Sequence, residues 1–139
     1  MPDADAFPAY AYRPDLGIFT VRWPTHERTA TAPSDYEALL LLPEARHTSR
    51  WLFDVRRRPY TTAASAQWVT QNWLPRAAAL PPGPLRLAYL VAPSRAAELT
   101  ADTPLRTAVE PATHPGQAFI MHTFTDEGEA VRWLLGEAV

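Results

Sequence analysis

The stretch that decides the fold is residues 51–60, which read WLFDVRRRPY. A short and almost entirely apolar run, "RWLFDV" over 50–55, is typical of a parallel strand that is buried on both faces. It contains one carboxylate, Asp54, and three consecutive arginines follow it. In open α/β sheets ligands usually bind beyond the carboxyl ends of the strands. The same stretch therefore indicates both a central strand and the place to look for a site.

The segments around this strand alternate between strand and helix patterns. The predicted elements are a hairpin over 9–23, a helix over 33–42, the strand over 50–55, a helix over 61–80, a strand over 85–92, a short helix over 94–99, a strand over 117–124 and a helix over 125–135. This order predicts an α/β fold: a mixed, mostly parallel sheet of about five strands, with an N-terminal antiparallel hairpin strand and four helices. The 139 residues suit a single domain, 1–139.

Local signals refine these elements. Ser34 is a natural N-cap for the first helix. Pro75 should kink the long helix, because its ring displaces one backbone hydrogen bond. The last helix should begin at Thr125 or Asp126, and Glu129 lies at capping-box distance from Asp126. Among the five tryptophans, Trp23 ends its strand, so we expect its ring to be partly exposed while the others pack in the core.

Composition excludes several classes of function. The chain has no cysteine, which excludes disulfides, thiolate metal sites and cysteine nucleophiles. A net charge of −2 argues against general nucleic-acid binding, which needs a strongly basic face. The longest aliphatic run, Leu39 to Leu42, is too short to span a bilayer. The first residues do not resemble a signal peptide, so we expect a cytoplasmic protein.

No catalytic motif is visible in the sequence. The five glycines are too scattered for a phosphate-binding loop, and no serine lies in a nucleophile elbow. The four histidines are dispersed without metal spacing, and His122 is expected to be a packed strand residue. The acidic residues at the start of the last helix fit helix capping and the helix dipole. We therefore expect no catalytic residue, no cofactor and no metal.

The segments "WLFDVRRRPYT", "QWVTQNWLPRAAAL", "LRLAYLVAPS" and "FTDEGEAVRWLL" together resemble the SpoIIAA-like group of the STAS (anti-sigma factor antagonist-like) superfamily, over most of the chain from about Tyr12 to Leu135. This resemblance implies a bacterial protein with a β-α superhelix. Signalling members of the family carry a phosphorylatable serine in a turn after the central strand. The matching region here reads "RRRPYTTAASA" and lacks that turn, which argues against a phosphorylation switch at Thr61, Thr62 or Ser65.

Two interpretations of the arginine run remain open. In the first, Asp54 forms a structural ion pair with Arg56 or with a neighbouring helix, and the other arginines are solvated. In the second, the strand end forms a corner that binds an anionic ligand or an acidic partner. The residues of this corner would be Asp54, Arg56, Arg57, Arg58 and Tyr60.

The function expected from the resemblance and from the absence of catalytic motifs is protein–protein binding by a non-enzymatic domain. The alternative is a carrier of a small apolar or lipid-like ligand, which would need space between the sheet and the tryptophan-bearing helices. We also expect a homodimer, because both faces of the last strand are apolar, with Ala118, Ile120 and Phe124 on one side and Phe119 and Met121 on the other. A sheet that helices cover mainly on one face needs a cover on the other, which a second subunit could supply.

Overall fold

The computed structural model describes residues 9–23, 33–57, 63–80, 84–101, 104, 106–107 and 119–136, with the backbone alone for 33–35, 63, 65 and 98–100. The strands are β1 Ala9–Arg13, β2 Ile18–Arg22, β3 Arg50–Asp54, β4 Leu85–Leu90 and β5 Phe119–Phe124. The helices are α1 Pro33–Leu40, α2 Ala63–Trp68, α3 Leu74–Ala78, α4 Pro93–Ala101 and α5 Glu127–Leu134, with a 3-10 helix at Pro43–Arg46 and a π-helical turn at Val69–Trp73.

The strands form one sheet in the order β1-β2-β3-β4-β5. β1 and β2 make the predicted antiparallel hairpin, and each later strand pairs in parallel with the strand before it. The π-helical turn joins α2 and α3 into one continuous helix, so the described part of the chain has four helices besides the 3-10 helix. The predicted fold class is confirmed.

Side chains alternate across the sheet and form two hydrophobic cores. The larger core lies against α1 and the α2–α3 helix and is rich in aromatic rings, including Phe19, Phe53, Trp51 and Trp73. The smaller core lies on the opposite face. Its sheet residues are Ile18, Leu52, Ala88 and Leu90, and α5 covers them with Ala130 and Leu134.

The helix around Pro75 departs from regular α geometry. The turn before the proline is π-helical, and the Leu74 N–H donates to the Val69 carbonyl five residues earlier. Because Pro75 has no N–H and its ring crowds the preceding turn, a widened turn at this place relieves the conflict. The disturbance predicted from Pro75 thus takes the form of a π-helical turn.

The expectation that Trp23 has a partly exposed ring is wrong. Its exposure is 6%, and its ring lies 5.1 Å from that of Phe53 and 5.6 Å from that of Tyr36. Position at the end of a strand suggested exposure, but α1 carries Tyr36 over the end of β2. Tertiary packing therefore buries a residue that local sequence places at an edge.

Helix α5 changes the argument for a homodimer. We expected one sheet face to need a cover from a second subunit, yet α5 packs there against β3, β4 and β5. On β5, Met121 is buried in the larger core and Phe124 contacts Trp133 of α5 at 5.6 Å. Ala118 lies outside the described residues. Self-association stays a prediction, but the chain itself covers the face on which the prediction was based.

Thr48 connects the start of β3 to the β1–β2 turn through hydrogen bonds. Its hydroxyl donates to the Gly17 carbonyl at 2.6 Å and accepts from the Arg50 N–H at 3.1 Å. Its carbonyl accepts from the indole N–H of Trp51 at 2.9 Å. Gly17 has a φ of +69°, a left-handed conformation that favours glycine. One buried threonine therefore connects two segments that are far apart in sequence.

We predict that Thr48→Val lowers the free energy of unfolding by about 1–3 kcal/mol, because it leaves the Gly17 carbonyl and the Arg50 N–H without their partner. Urea unfolding measures the change. Thr123→Val is the matched control, because Thr123 is exposed on β5 and its substitution should change stability by less than about 0.5 kcal/mol. Equal stability of the two variants would contradict this role of Thr48.

Candidate functional site

The candidate site lies at the carboxyl edge of the parallel strands. Arg22 is the last residue of β2 and Asp54 is the last residue of β3, and the two are paired in register. Helix α5 begins with Glu127 shortly after β5 ends at Phe124. The parallel arrangement thus brings together residues that are up to 105 positions apart in the sequence.

Asp54 is the centre of this site and is buried, with an exposure of 7%. Its Oδ1 accepts from the backbone N–H of Arg56 at 3.1 Å and from Nε of Arg56 at 3.0 Å. Its Oδ2 accepts from Nη2 of Arg56 at 2.8 Å and from Nη1 of Arg22 at 2.7 Å. The ion pair between Asp54 and Arg56 that the sequence predicts is confirmed. Four hydrogen bonds compensate the burial of this carboxylate.

Glu127 closes the arrangement from α5. It accepts from Nη2 of Arg22 at 3.0 Å and from Nη1 at 3.3 Å, and it lies 3.5 Å from Nη2 of Arg56. We call Arg22, Asp54, Arg56 and Glu127 the ion-pair cluster. Two guanidinium groups and two carboxylates alternate in it, so its formal charge is zero. The cluster attaches the first turn of α5 to the ends of β2 and β3.

The electrostatics of the cluster follow from burial and from charge-assisted hydrogen bonds. Burial raises the pKa of Asp54, but the hydrogen bonds from the Arg56 side chain and backbone and from Arg22 outweigh it, so the pKa lies below its ordinary value. The pKa of Arg22 is raised, first by its hydrogen bond with Glu127. The hydrogen bond with Asp54 likewise raises the pKa of Arg56. All three groups are therefore charged at neutral pH.

The structure brings together only part of the predicted corner. Arg57 follows the cluster, is exposed, and forms no ion pair with any described residue. Arg58, Tyr60, Thr61 and Thr62 lie outside the described residues, as does the side chain of Ser65. The anion-binding interpretation thus depends on Arg57 and on the exposed sides of the paired arginines.

Arg22 and Glu127 are members of the cluster that the sequence reasoning missed. In the sequence, Arg22 is one of the polar residues that alternate with apolar ones in the second strand of the hairpin, and Glu127 is one of the acidic residues that fit the helix dipole. The signal that could have found Arg22 is its place at the end of a strand beside β3. The only sequence signal for Glu127 is its place in the first turn of a helix that follows a strand, and this place does not specify its partner.

The other titratable residues that the sequence analysis considers make contacts that stabilise the fold. Asp126 caps α5, and its Oδ2 accepts from the Glu129 N–H at 2.9 Å, as the sequence predicts. The ring of His122 stacks on Trp133 with centroids 4.8 Å apart. Within the described part of the chain, no group of three or more histidine and acidic residues is placed to hold a metal ion.

Aromatic groups lie on the other face of the same edge. The hydroxyl groups of Tyr36 and Tyr89 are 2.9 Å apart and share a hydrogen bond. Tyr36 also contacts the half-buried ring of Trp68, with centroids 6.0 Å apart. Half-exposed arginines and partly exposed aromatic rings therefore border the carboxyl edge. These are the residue types that are enriched in protein–protein interfaces.

Comparison with protein-family models, with curated proteins and with solved structures finds no match for this chain. The described helices include none that is both long enough and apolar enough to cross a bilayer.

We predict that Asp54→Asn lowers the free energy of unfolding by about 3 kcal/mol, because it leaves Arg22 and Arg56 without their shared buried counter-charge. Chemical denaturation at neutral pH measures the loss. Asp15→Asn is the control, since Asp15 forms an exposed ion pair with Arg13 and its loss should have a much smaller effect. A similar loss in the two variants would contradict a central role for Asp54.

We also predict a pH dependence of stability from the lowered pKa of Asp54. The stabilising contribution is complete above the unfolded pKa, near 3.8, and it is lost as the pH falls towards the lower folded pKa. Unfolding free energies of the wild type and Asp54→Asn should therefore differ most above pH 4 and converge below it. A constant difference between pH 2 and 7, measured by urea unfolding, would contradict this linkage.

Proposed function

We propose that this chain is a non-enzymatic binding domain, and that it binds a protein partner through the carboxyl edge of its sheet. The observation that carries the proposal is the ion-pair cluster. It holds two half-exposed guanidinium groups, with 44% of the Arg22 side chain and 43% of the Arg56 side chain accessible, beside the exposed Arg57.

The arrangement of these arginines suits binding better than catalysis. Each guanidinium of the cluster is already oriented by Asp54 or Glu127, so little side-chain entropy is lost when a partner contacts it. Asp54 itself accepts four hydrogen bonds and stays ionised, which makes it a poor general acid or base at neutral pH. Arg57 would supply a charge that no described carboxylate neutralises.

The expected relationship to the SpoIIAA-like group of the STAS superfamily agrees with this proposal, because that family works through protein partners. The mixed sheet with its N-terminal hairpin is compatible with the family fold. The family assignment and a cytoplasmic, regulatory role are parts of the same proposal. Because the family's phosphorylatable turn is missing, we propose that partner binding here does not depend on phosphorylation.

The alternative function, a carrier of an apolar ligand, would need space between the sheet and the tryptophan-bearing helix. Trp51 and Trp73 are buried there with ring centroids 5.9 Å apart, and Phe53 lies 5.8 Å from Trp73. The indole N–H of Trp73 donates to the Tyr36 carbonyl at 2.8 Å. These contacts favour a packed core, so the carrier function is the weaker candidate.

We expect the tagged full chain, purified from its natural host at low salt, to retain a bound polypeptide. Arg57→Gln should bind this polypeptide at least about tenfold more weakly, since one charge-assisted contact is worth about 1.5–3 kcal/mol. Native mass spectrometry identifies what is bound, and titration with the purified partner measures the affinity. Added salt should weaken the complex, because the screening length falls from about 10 Å at 0.1 M to about 3 Å at 1 M.

Arg46→Gln is the matched control. Arg46 is exposed on the 3-10 helix before β3, so its substitution removes the same charge from the opposite edge of the sheet. Equal binding by wild type and both variants would exclude the carboxyl edge as the interface. A small apolar molecule in place of a polypeptide would favour the carrier. Substrate turnover that disappears in Asp54→Ala would show an enzyme.

A further inference from the structure

Arg50 and Arg86 form an arginine pair at the amino edge of the sheet, opposite the ion-pair cluster. Arg50 is the first residue of β3, and Arg86 is the second residue of β4. The two lie directly opposite each other in the parallel register. Side-chain alternation places both on the face that α5 covers, together with Leu52 and Ala88. Like charges on directly opposed strand positions repel each other.

Arg86 is held in one position by α5. Its guanidinium carbon lies 4.2 Å from the centre of the Trp133 ring, and its Nη2 donates to the Trp133 carbonyl near the end of the helix. Its Nε is buried and makes no hydrogen bond to any described residue. A cation is favoured at a helix carboxyl end, which accounts for part of this placement. Because Nε is buried, the donors that an anion can reach are the terminal nitrogens, and Nη1 of this fixed guanidinium makes no hydrogen bond to a described residue.

Arg50 is exposed, and its guanidinium lies beside the β1–β2 turn near Gly17. No described carboxylate forms an ion pair with Arg50 or with Arg86, and Asp15 in the same turn is already paired with Arg13. Burial first, and then the charge of Arg50, lower the pKa of Arg86. Two adjacent cations on a half-buried face, with no counter-charge among the described residues, are unfavourable unless an anion joins them.

We propose that Arg50 and Arg86 form a binding site for a phosphate group. Arg86 is the fixed donor and Arg50, being exposed, reaches the same anion from the other side. Arginine forks match the oxygens of a phosphate group in paired hydrogen bonds, which a single lysine charge does not. This site is at the edge of the sheet opposite the proposed protein interface, and it does not depend on that function.

Thermal unfolding of the full chain tests the site in chloride buffer at constant ionic strength and pH, with inorganic phosphate or glycerol 3-phosphate added. Ligand that binds the folded state raises the melting temperature, and we expect a rise of about 3 °C or more at saturation. Calorimetric titration gives the Kd for each probe. A lower Kd for one of them shows whether the site prefers free phosphate or a phosphomonoester.

Arg50→Gln is the principal variant, because Arg50 has no described ion pair to lose and the fold should be retained. We expect it to weaken phosphate binding about tenfold, the effect of about one charge-assisted contact. Arg76→Gln is the matched control, since it removes one half-exposed arginine charge from the helix on the opposite face of the sheet, where Arg76 pairs with Glu37, and it should leave the Kd unchanged. Arg86→Lys keeps the charge but loses the fork, and it should also weaken binding.

The named outcomes separate the alternatives. Loss of phosphate stabilisation in Arg50→Gln, with retention in Arg76→Gln, supports the site. An equal reduction of the phosphate stabilisation in both variants would mean that it depends on net charge alone, and the proposal would be wrong. No stabilisation of the wild type at 10 mM of either probe would overturn it directly.

Discussion

The buried carboxylate of Asp54 is the constraint on which the arrangement of the carboxyl edge depends. An ionised carboxylate that is 7% exposed is unfavourable without compensation, and Asp54 obtains it from the Arg56 backbone and from two guanidinium groups. Those groups come from the end of β2 and from the turn after β3. Satisfying one charge therefore fixes the position of two chain segments.

The same interactions extend to α5. Because Arg22 and Arg56 retain donor capacity after binding Asp54, they also bind Glu127 in the first turn of the helix. The opposite end of α5 meets Arg86, which stacks on Trp133 and donates to its carbonyl. Acidic groups thus face the amino end of the helix dipole and a cation faces the carboxyl end. Both ends of α5 are attached to the sheet by charge, and Ala130 and Leu134 attach it by apolar packing between them.

The two edges of the sheet consequently differ in charge balance. At the carboxyl edge, arginines and carboxylates alternate with a formal charge of zero, and Arg57 adds one cation. At the amino edge, Arg50 and Arg86 face each other without a described counter-charge. Binding a partner at the first edge would use oriented groups that are already compensated. Binding an anion at the second would relieve repulsion that the fold itself creates. The two proposals therefore rest on different interactions: pre-oriented ion pairs at one edge and uncompensated repulsion at the other.

Sequence by itself determined the fold class, since the apolar run at β3 and the alternation of strand and helix patterns specify an α/β sheet with its N-terminal hairpin. It also offered Arg56 as a partner of Asp54 and Asp126 as a cap of the last helix, each beside one alternative, because the partners in each case are two or three residues apart. Tertiary structure alone decided that Trp23 is buried, that α5 covers the second face, and that Arg22 and Glu127 join Asp54. The contacts of Trp23 with Tyr36, and of Arg22 with Asp54 and Glu127, connect residues that are 13 or more positions apart. The periodicity of a helix or strand pattern does not predict contacts at such separations. They are set by which strands are neighbours and by which helix covers them.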